Sequence, residues 1–488
     1  MKSQLTRLAN GMLVYGLGSV LNRALSFILL PLFTYYLTPQ DYGVSALVGL
    51  VTLALSGVFS LGTGNSMGIC FFEKTDPVEQ QHVIWTTAFT MLVNCFGWCA
   101  LGFVLAPQIS VFVFHAAGYE YIIRLSLISL GISMVATPFL SYLRLMERPR
   151  KYVAITVIQT IVTLGGNILF IVFWHRGINS LFEVGVIAQS ITLALVLIIV
   201  ASGLQFGIQF KMIPALIRIG FPSIFGLGAF YIVDYADRAM LQWLTNVETV
   251  GLYAIGYSFG LVMLLAVDSF ASAWPPYFAS FLNRRNEAEI LFGKVLKYYL
   301  AIFGSLTLCF FALARPVVFL MTAPEFHTAY TVVGLVALAY MLKGCYLILL
   351  PGFYFEKKLI MQTFIEWMAA LLTLALNLAL IPIFHKEGAA LATSLAYLSL
   401  PILSYLIGRK YLKVEYPWGQ IGWWVAGFLT TAFVLTLLNG LNSLWLQFLL
   451  SLFTLSAYVL YVMWTGFSTS ERGSVWQYLK MKMVKPTI

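Results

Sequence analysis

Residues 184–205 read VGVIAQSITLALVLIIVASGLQ, twenty-two consecutive positions without a charged side chain. A helix crossing the hydrocarbon core needs about 20 predominantly apolar residues, because every backbone polar group there must be satisfied within the segment. The same pattern recurs along the chain. Apolar runs near 12–37, 44–70, 83–106, 121–143, 153–174, 184–205, 220–244, 251–280, 293–320, 329–354, 359–383, 388–408, 419–439 and 443–466 predict fourteen transmembrane helices. Of the 488 residues 60% are hydrophobic and 10% charged, against about 25% charged in a soluble domain. The expected class is an all-α polytopic membrane protein.

The loops alternate in charge. With the N-terminus inside, inner segments hold 22 of the 29 Lys and Arg, and outer segments hold Arg176, Arg315 and Lys386. This is the positive-inside pattern with both termini cytoplasmic. The run after Lys2 and Arg7 is too long for a signal peptide, so the first span is expected to be retained. The net charge of +10 has no basic tract or soluble domain to direct it to nucleic acid. His82, His115, His175, His327 and His385 stand singly, with no acid–base or metal motif around them, and the connections are short. Cys70, Cys95, Cys99, Cys309 and Cys345 lie in apolar runs without ligand spacing. No enzyme activity, cofactor or metal is expected, and a channel would need a charge ring or filter that the sequence lacks.

Two six-span halves resemble one another at offsets of about 203 to 210 residues. The turn Thr38-Pro39-Gln40-Asp41-Tyr42-Gly43 matches Thr245-Asn246-Val247-Glu248-Thr249-Val250-Gly251. The loop Met146-Glu147-Arg148-Pro149-Arg150-Lys151 resembles Phe355-Glu356-Lys357-Lys358, Asn167 matches Asn377, and Glu183 matches Glu387. An even number of spans per half gives both the same topology. The expected organisation is an N-terminal six-helix bundle (1–205), a C-terminal one (206–412), and two extra helices with a basic tail (413–488). Two such bundles suit alternating access.

Charges inside the spans mark function, since each costs roughly 3 kcal/mol at the bilayer centre. Arg23 shares a face with Gly16, Ser19 and Ser26. Arg238 lies four residues after Asp234, the favourable order for a pair, with Asp237 beside them. Lys343 lies between Tyr340 and Tyr346, where an ammonium meets an anion and aromatic faces meet sugar. Arg124 sits near an outer helix end and either snorkels or joins the site. Asp268, on the face of Tyr253 and Tyr257, needs a partner from another helix. Glu366 shares a polar face with Gln362, Thr373 and Asn377. Asp234, Asp237, Asp268 and Glu366 are candidates for ion coupling; structural ion pairing accounts for the same positions.

The chain resembles the Wzx-type polysaccharide-repeat flippases of the MATE-like exporter superfamily. The resemblance rests on Phe27-Ile28-Leu29-Leu30-Pro31-Leu32 through Leu37–Gly43, on Asp237-Arg238-Ala239-Met240-Leu241 followed by Val250-Gly251-Leu252-Tyr253-Ala254, and on Ala323-Pro324-Glu325-Phe326. It implies a MATE-like fold in a bacterial inner membrane. It also implies movement of an undecaprenyl-diphosphate-linked oligosaccharide, of O-antigen, lipopolysaccharide or exopolysaccharide, from the inner to the outer leaflet. The partners so implied are that lipid, membrane lipids, an H⁺ or Na⁺ ion and glycan polymerase or assembly proteins. On residues alone, Arg23, Lys343, Arg238, Arg124, Tyr340 and Tyr346 are the candidate diphosphate and sugar contacts. A multidrug cation antiporter of the same fold is the alternative; it calls for an acidic cavity, whereas the first span here carries Arg23.

Overall fold

The computed structural model describes residues 27–466, and among them the regular structure is helical, with no strand. In chain order the helices are α1 (Leu30–Tyr36), α2 (Pro39–Ser60), α3 (Thr63–Glu73), α4 (Pro77–Phe114), α5 (Glu120–Leu145), α6 (Pro149–Asn167), α7 (Asn179–Ile199), α8 (Ile213–Leu244), α9 (Val247–Gly260), α10 (Val262–Ala279), α11 (Arg285–Met321), α12 (Tyr330–Ile348), α13 (Pro351–Phe355), α14 (Leu359–Gly408), α15 (Trp418–Leu438) and α16 (Leu444–Gly466). Ten helices are long and apolar enough to cross a membrane, or eleven with the bent pair α9–α10 taken as one span. Fourteen were expected. The first expected span lies mostly outside the described residues. Two more fall on α14, whose 50 residues count once although the backbone breaks at His385 (φ 48°, ψ −123°), and the seventh, on α8, is not among the helices counted.

The helix starts follow from local chemistry. Thr38 and Asp41 form a reciprocal capping box ahead of Pro39, with Asp41 accepting from the Thr38 N–H at 2.9 Å. Asp76 caps α4 through the N–H groups of Val78 and Glu79. Pro39, Pro77 and Pro149 occupy first-turn positions where no N–H is needed. The expected second span is broken between α2 and α3 by Leu61 and Gly62, both at positive φ.

The chain divides into two compact units. The first takes in the described part of Met1–Ala254 with Met321–Glu325; the second takes in Ile255–Leu320 and the described part of Phe326–Ile488. The seventh expected span, α8, therefore belongs to the first unit. Its core gathers Met67, Phe71, Ile84, Phe139, Tyr142 and Leu216. In the second unit Leu308, Trp424, Phe428, Leu435 and Tyr458 seat α15 and α16 on α11. Arg315 clasps their connection, donating to the carbonyls of Asn439 at 2.8 Å and Leu441, and to Gln447 Oε1 at 3.0 Å.

The repeat read from the sequence reappears as geometry. Arg148 N–H donates to the Leu143 carbonyl and Lys358 N–H to the Phe353 carbonyl, each at 2.8 Å. Glu147 and Lys357 both have positive φ, 50° and 54°, and so have His175 and His385, 51° and 48°. Glu183 accepts from Arg176 and from the Tyr121 hydroxyl, both at 2.9 Å. Glu387 accepts from Thr331 at 2.6 Å and pairs with Lys386 at 3.2 Å. The two glycine-closed turns meet in the first unit. A Cβ on Gly43 would stand 1.9 Å from the Val247 carbonyl oxygen, and one on Gly251 would stand 1.7 Å from that of Pro39.

Gly43→Ala and Gly251→Ala are therefore each expected to cost at least about 1–3 kcal/mol, the usual penalty of overpacking. Gly49, with nothing within 4 Å of its would-be Cβ, is the control. Thermal unfolding in detergent should show both losses and an unchanged Gly49→Ala.

Candidate functional site

In the first unit the polar centre is built by α8 and α9. Asp237 is fully buried and Arg238 is 8% exposed. A lone charge so placed would be prohibitive; each is compensated by the other and by neutral groups. Arg238 Nη1 donates to Asp237 Oδ1 at 3.0 Å and to the Asp234 backbone carbonyl at 2.8 Å. The Arg238 N–H also donates to Asp237 Oδ1, at 2.7 Å. The other carboxylate oxygen accepts from the Tyr253 hydroxyl. The guanidinium lies 5.2 Å from the Tyr235 ring centroid and 5.6 Å from that of Tyr253. Besides Asp234, to which the sequence pointed, the adjacent Asp237 gives Arg238 a carboxylate, and Asp234 gives it a backbone carbonyl.

In the second unit α12 carries Tyr340, Lys343 and Tyr346 as expected, but they face different neighbours. Lys343 Nζ is 5.7 Å from the ring centroids of both Tyr340 and Tyr397, held by the quadrupoles of two phenols. Tyr340 is buried and its hydroxyl bonds that of Tyr257. Tyr346 turns instead to Glu366, donating to Oε1 at 2.7 Å, while Gln362 donates to the same oxygen at 2.9 Å. Glu366 is thus a buried carboxylate bonded by neutral donors. Asp268 is exposed and lies on α10.

Arg124 is half-buried on α5, its guanidinium 5.9 Å from the Phe103 ring centroid, and its Nε has no hydrogen-bond partner. Arg23 lies outside the described residues. Two participants escaped the sequence reading, Tyr235 and Tyr397. Tyr235 had a local signal, an aromatic three residues before Arg238. Tyr397 had none, because its contact with Lys343 spans 54 residues and is set by packing of α14 on α12.

Comparison with known proteins fits this frame. The family model described as "Polysaccharide biosynthesis protein" matches residues 8–282, more than half of the chain. No curated protein sequence matches. Among solved structures, the lipid II flippase MurJ in an inward closed conformation superposes with a TM-score of 0.72 at 14% identity, covering 92% of this chain and 97% of that one. An inward-facing multidrug resistance MATE transporter of the MOP superfamily gives 0.63 at 13% identity, covering 80% and 94%. The Vibrio cholerae MATE transporter VcmN in its bent form gives 0.53 at 15% identity, covering 84% and 98%. The fold is thus that of MurJ and the MATE transporters, and the chain belongs to the polysaccharide biosynthesis protein family.

Removing Asp237 alone would leave Arg238 buried without its acid. Asp237→Ala is expected to destabilise by about 3–5 kcal/mol, and Tyr253→Phe by about 1.5–3 kcal/mol for one hydrogen bond to a charged group. Denaturant titration in micelles tests both. A Tyr253→Phe loss as large as that of Asp237→Ala would contradict the assigned order of importance.

Proposed function

We propose that this member of the polysaccharide biosynthesis protein family is a flippase for a lipid-linked oligosaccharide. It would carry an undecaprenyl-diphosphate-linked glycan from the cytoplasmic to the outer leaflet of a bacterial inner membrane. The glycan's hydroxyls each cost several kcal/mol to strip of water without replacement, so unaided crossing is slow. A hydrated cavity exposed to one side at a time removes that barrier while the lipid tail stays in the bilayer.

The observation that carries the reading is Lys343. A half-buried ammonium over two phenol faces offers a charge to a diphosphate and ring surfaces to sugar. Glu366, the acid on a neighbouring helix, is bonded by Tyr346 and Gln362. Arg23 is proposed as the second anion contact. Arg238 is assigned mainly to holding Asp237, and Tyr346 to holding Glu366. Asp234, Asp237, Asp268 and Glu366 remain the proposed places for a coupling H⁺ or Na⁺. The MATE likeness and these four acids favour one second reading, a multidrug cation antiporter.

Transfer of lipid-linked oligosaccharide between vesicle leaflets separates the two. Lys343→Ala and Arg23→Ala are each expected to lower the rate at least about tenfold, the equivalent of 1.4 kcal/mol of anion stabilisation. Near-normal transfer by both would remove the anion site, and cation efflux without glycan transfer would select the antiporter. Asp234→Asn or Asp237→Asn should abolish dependence on the ion gradient; dependence retained in both would reject those two acids as the coupling site.

A further inference from the structure

The turn from α5 to α6 carries Arg144, Arg148, Arg150 and Lys151 within a few residues of one acid, Glu147. It joins two candidate spans, Glu120–Leu145 and Pro149–Phe173, and so stands where the chain meets the headgroups. Arg144 is engaged: it donates to Ser141 Oγ at 2.9 Å and lies 5.6 Å from the Tyr152 ring centroid. Arg148, Arg150 and Lys151 are exposed, and no ion pair among the described residues includes them. α3 packs on α5 at Gly68 and Leu145, which brings further acids to this end. Glu79 pairs with Lys74 at 3.0 Å, Asp76 caps α4, and Glu73 is exposed. Counting Glu73 and Glu147 against the four cations leaves two positive charges in excess.

Local folding does not call for these cations. Arg150 and Lys151 follow Pro149 in the first turn of α6, where no acid stands and no side chain caps the helix. Positive charge there opposes the helix dipole. The matching turn of the second half closes with the same 2.8 Å bond. At the offset of 210 it carries Ile360 and Met361 in place of Arg150 and Lys151.

An open face runs away from them. Arg150, Ala154, Ile158, Ile161 and Gly165 recur at spacings of 4, 4, 3 and 4, one stripe of a helix, and all five are exposed. Nothing lies within 4 Å of a Cβ built on Gly165, and α6 belongs to the least buried of the ten spans. At 1.5 Å per residue the stripe is about 22 Å long. Half of a bilayer core is about 15 Å, so the stripe accommodates one leaflet's acyl chain from headgroup to tail.

We infer that this face of α6 holds an anionic phospholipid of the leaflet that meets the α5–α6 turn. Arg150 and Lys151 take the phosphate oxygens, and an acyl chain lies along Ala154, Ile158, Ile161 and Gly165. Juxtamembrane cations select anionic lipids in this way. A second copy in the same membrane would set the same cations against each other at one level, so the charge favours lipid over a dimer.

The test places photoreactive benzoylphenylalanine at Ile161 of the full chain in mixed vesicles of phosphatidylglycerol and phosphatidylcholine. Phosphatidylglycerol should be captured well above its share of the lipid. Arg150→Gln with Lys151→Gln should lower that preference at least about tenfold, each cation near a membrane surface contributing about fivefold. Arg150→Lys, which keeps the charge, should retain it. Added salt, which changes no residue, should lower it as well. Capture in proportion to lipid composition, or a preference that salt leaves unchanged, would overturn the site. So would an equal loss from Lys357→Gln with Lys358→Gln, the mark of diffuse attraction, or crosslinking of Ile161 to a second copy.

Discussion

Two helix N-termini, α2 and α9, meet backbone to backbone at Gly43 and Gly251. The contact is reciprocal: Gly43 lies against Val247, Gly251 against Pro39. Residues 39 and 247, like 43 and 251, are separated by the same 208 positions. Equivalent ends of the two repeats thus touch each other through equivalent atoms. Only glycine permits that approach, since any Cβ would enter a carbonyl oxygen. Much of the first unit's polar centre follows from it. The start of α9 is fixed against α2, and two turns further on Tyr253 delivers its hydroxyl to Asp237 on α8. Side-chain bulk at the turn would shift α9 and leave a buried carboxylate short of a donor.

Membrane burial explains why the charges are organised as they are. Asp237 and Arg238 satisfy one another and recruit a carbonyl, an N–H and a phenol. Glu366 is satisfied without any cation. Lys343 lies over two aromatic faces. Each arrangement lowers the desolvation penalty of a charge inside a helix bundle.

Much of the frame was legible in the residues because helix spans, caps and breaks are local. Apolar runs of bilayer length marked the helices, Thr38 and Asp41 their starts, and the glycine-closed turns marked the repeat. Partners were less legible. The i, i+4 rule pointed Arg238 at Asp234, and it held no sign that the adjacent Asp237 bonds the guanidinium and also meets Tyr253 from another helix. Tyr346 was read with Lys343 because three residues share a helix face, yet its hydroxyl is claimed by Glu366. Such choices depend on which neighbour the helix packs against, and periodicity holds no record of that.

The repeat also shows which features belong to the scaffold and which were added to one half. With the loops aligned at an offset of 210, His175 and His385 bend equivalent backbones, and Tyr121 and Thr331 bond the acids Glu183 and Glu387, which stand 204 apart. At the same offset Lys343 falls on Ser133 and Glu366 on Thr156; at 208, Asp268 falls on Ser60 and Arg238 on Leu30. Ser60 and Thr156 spend their hydroxyls on their own helices, donating to the carbonyls of Gly57 and Val153. At these four places the first half carries uncharged residues, so the desolvation cost of a charge there falls on the second half of the repeat alone.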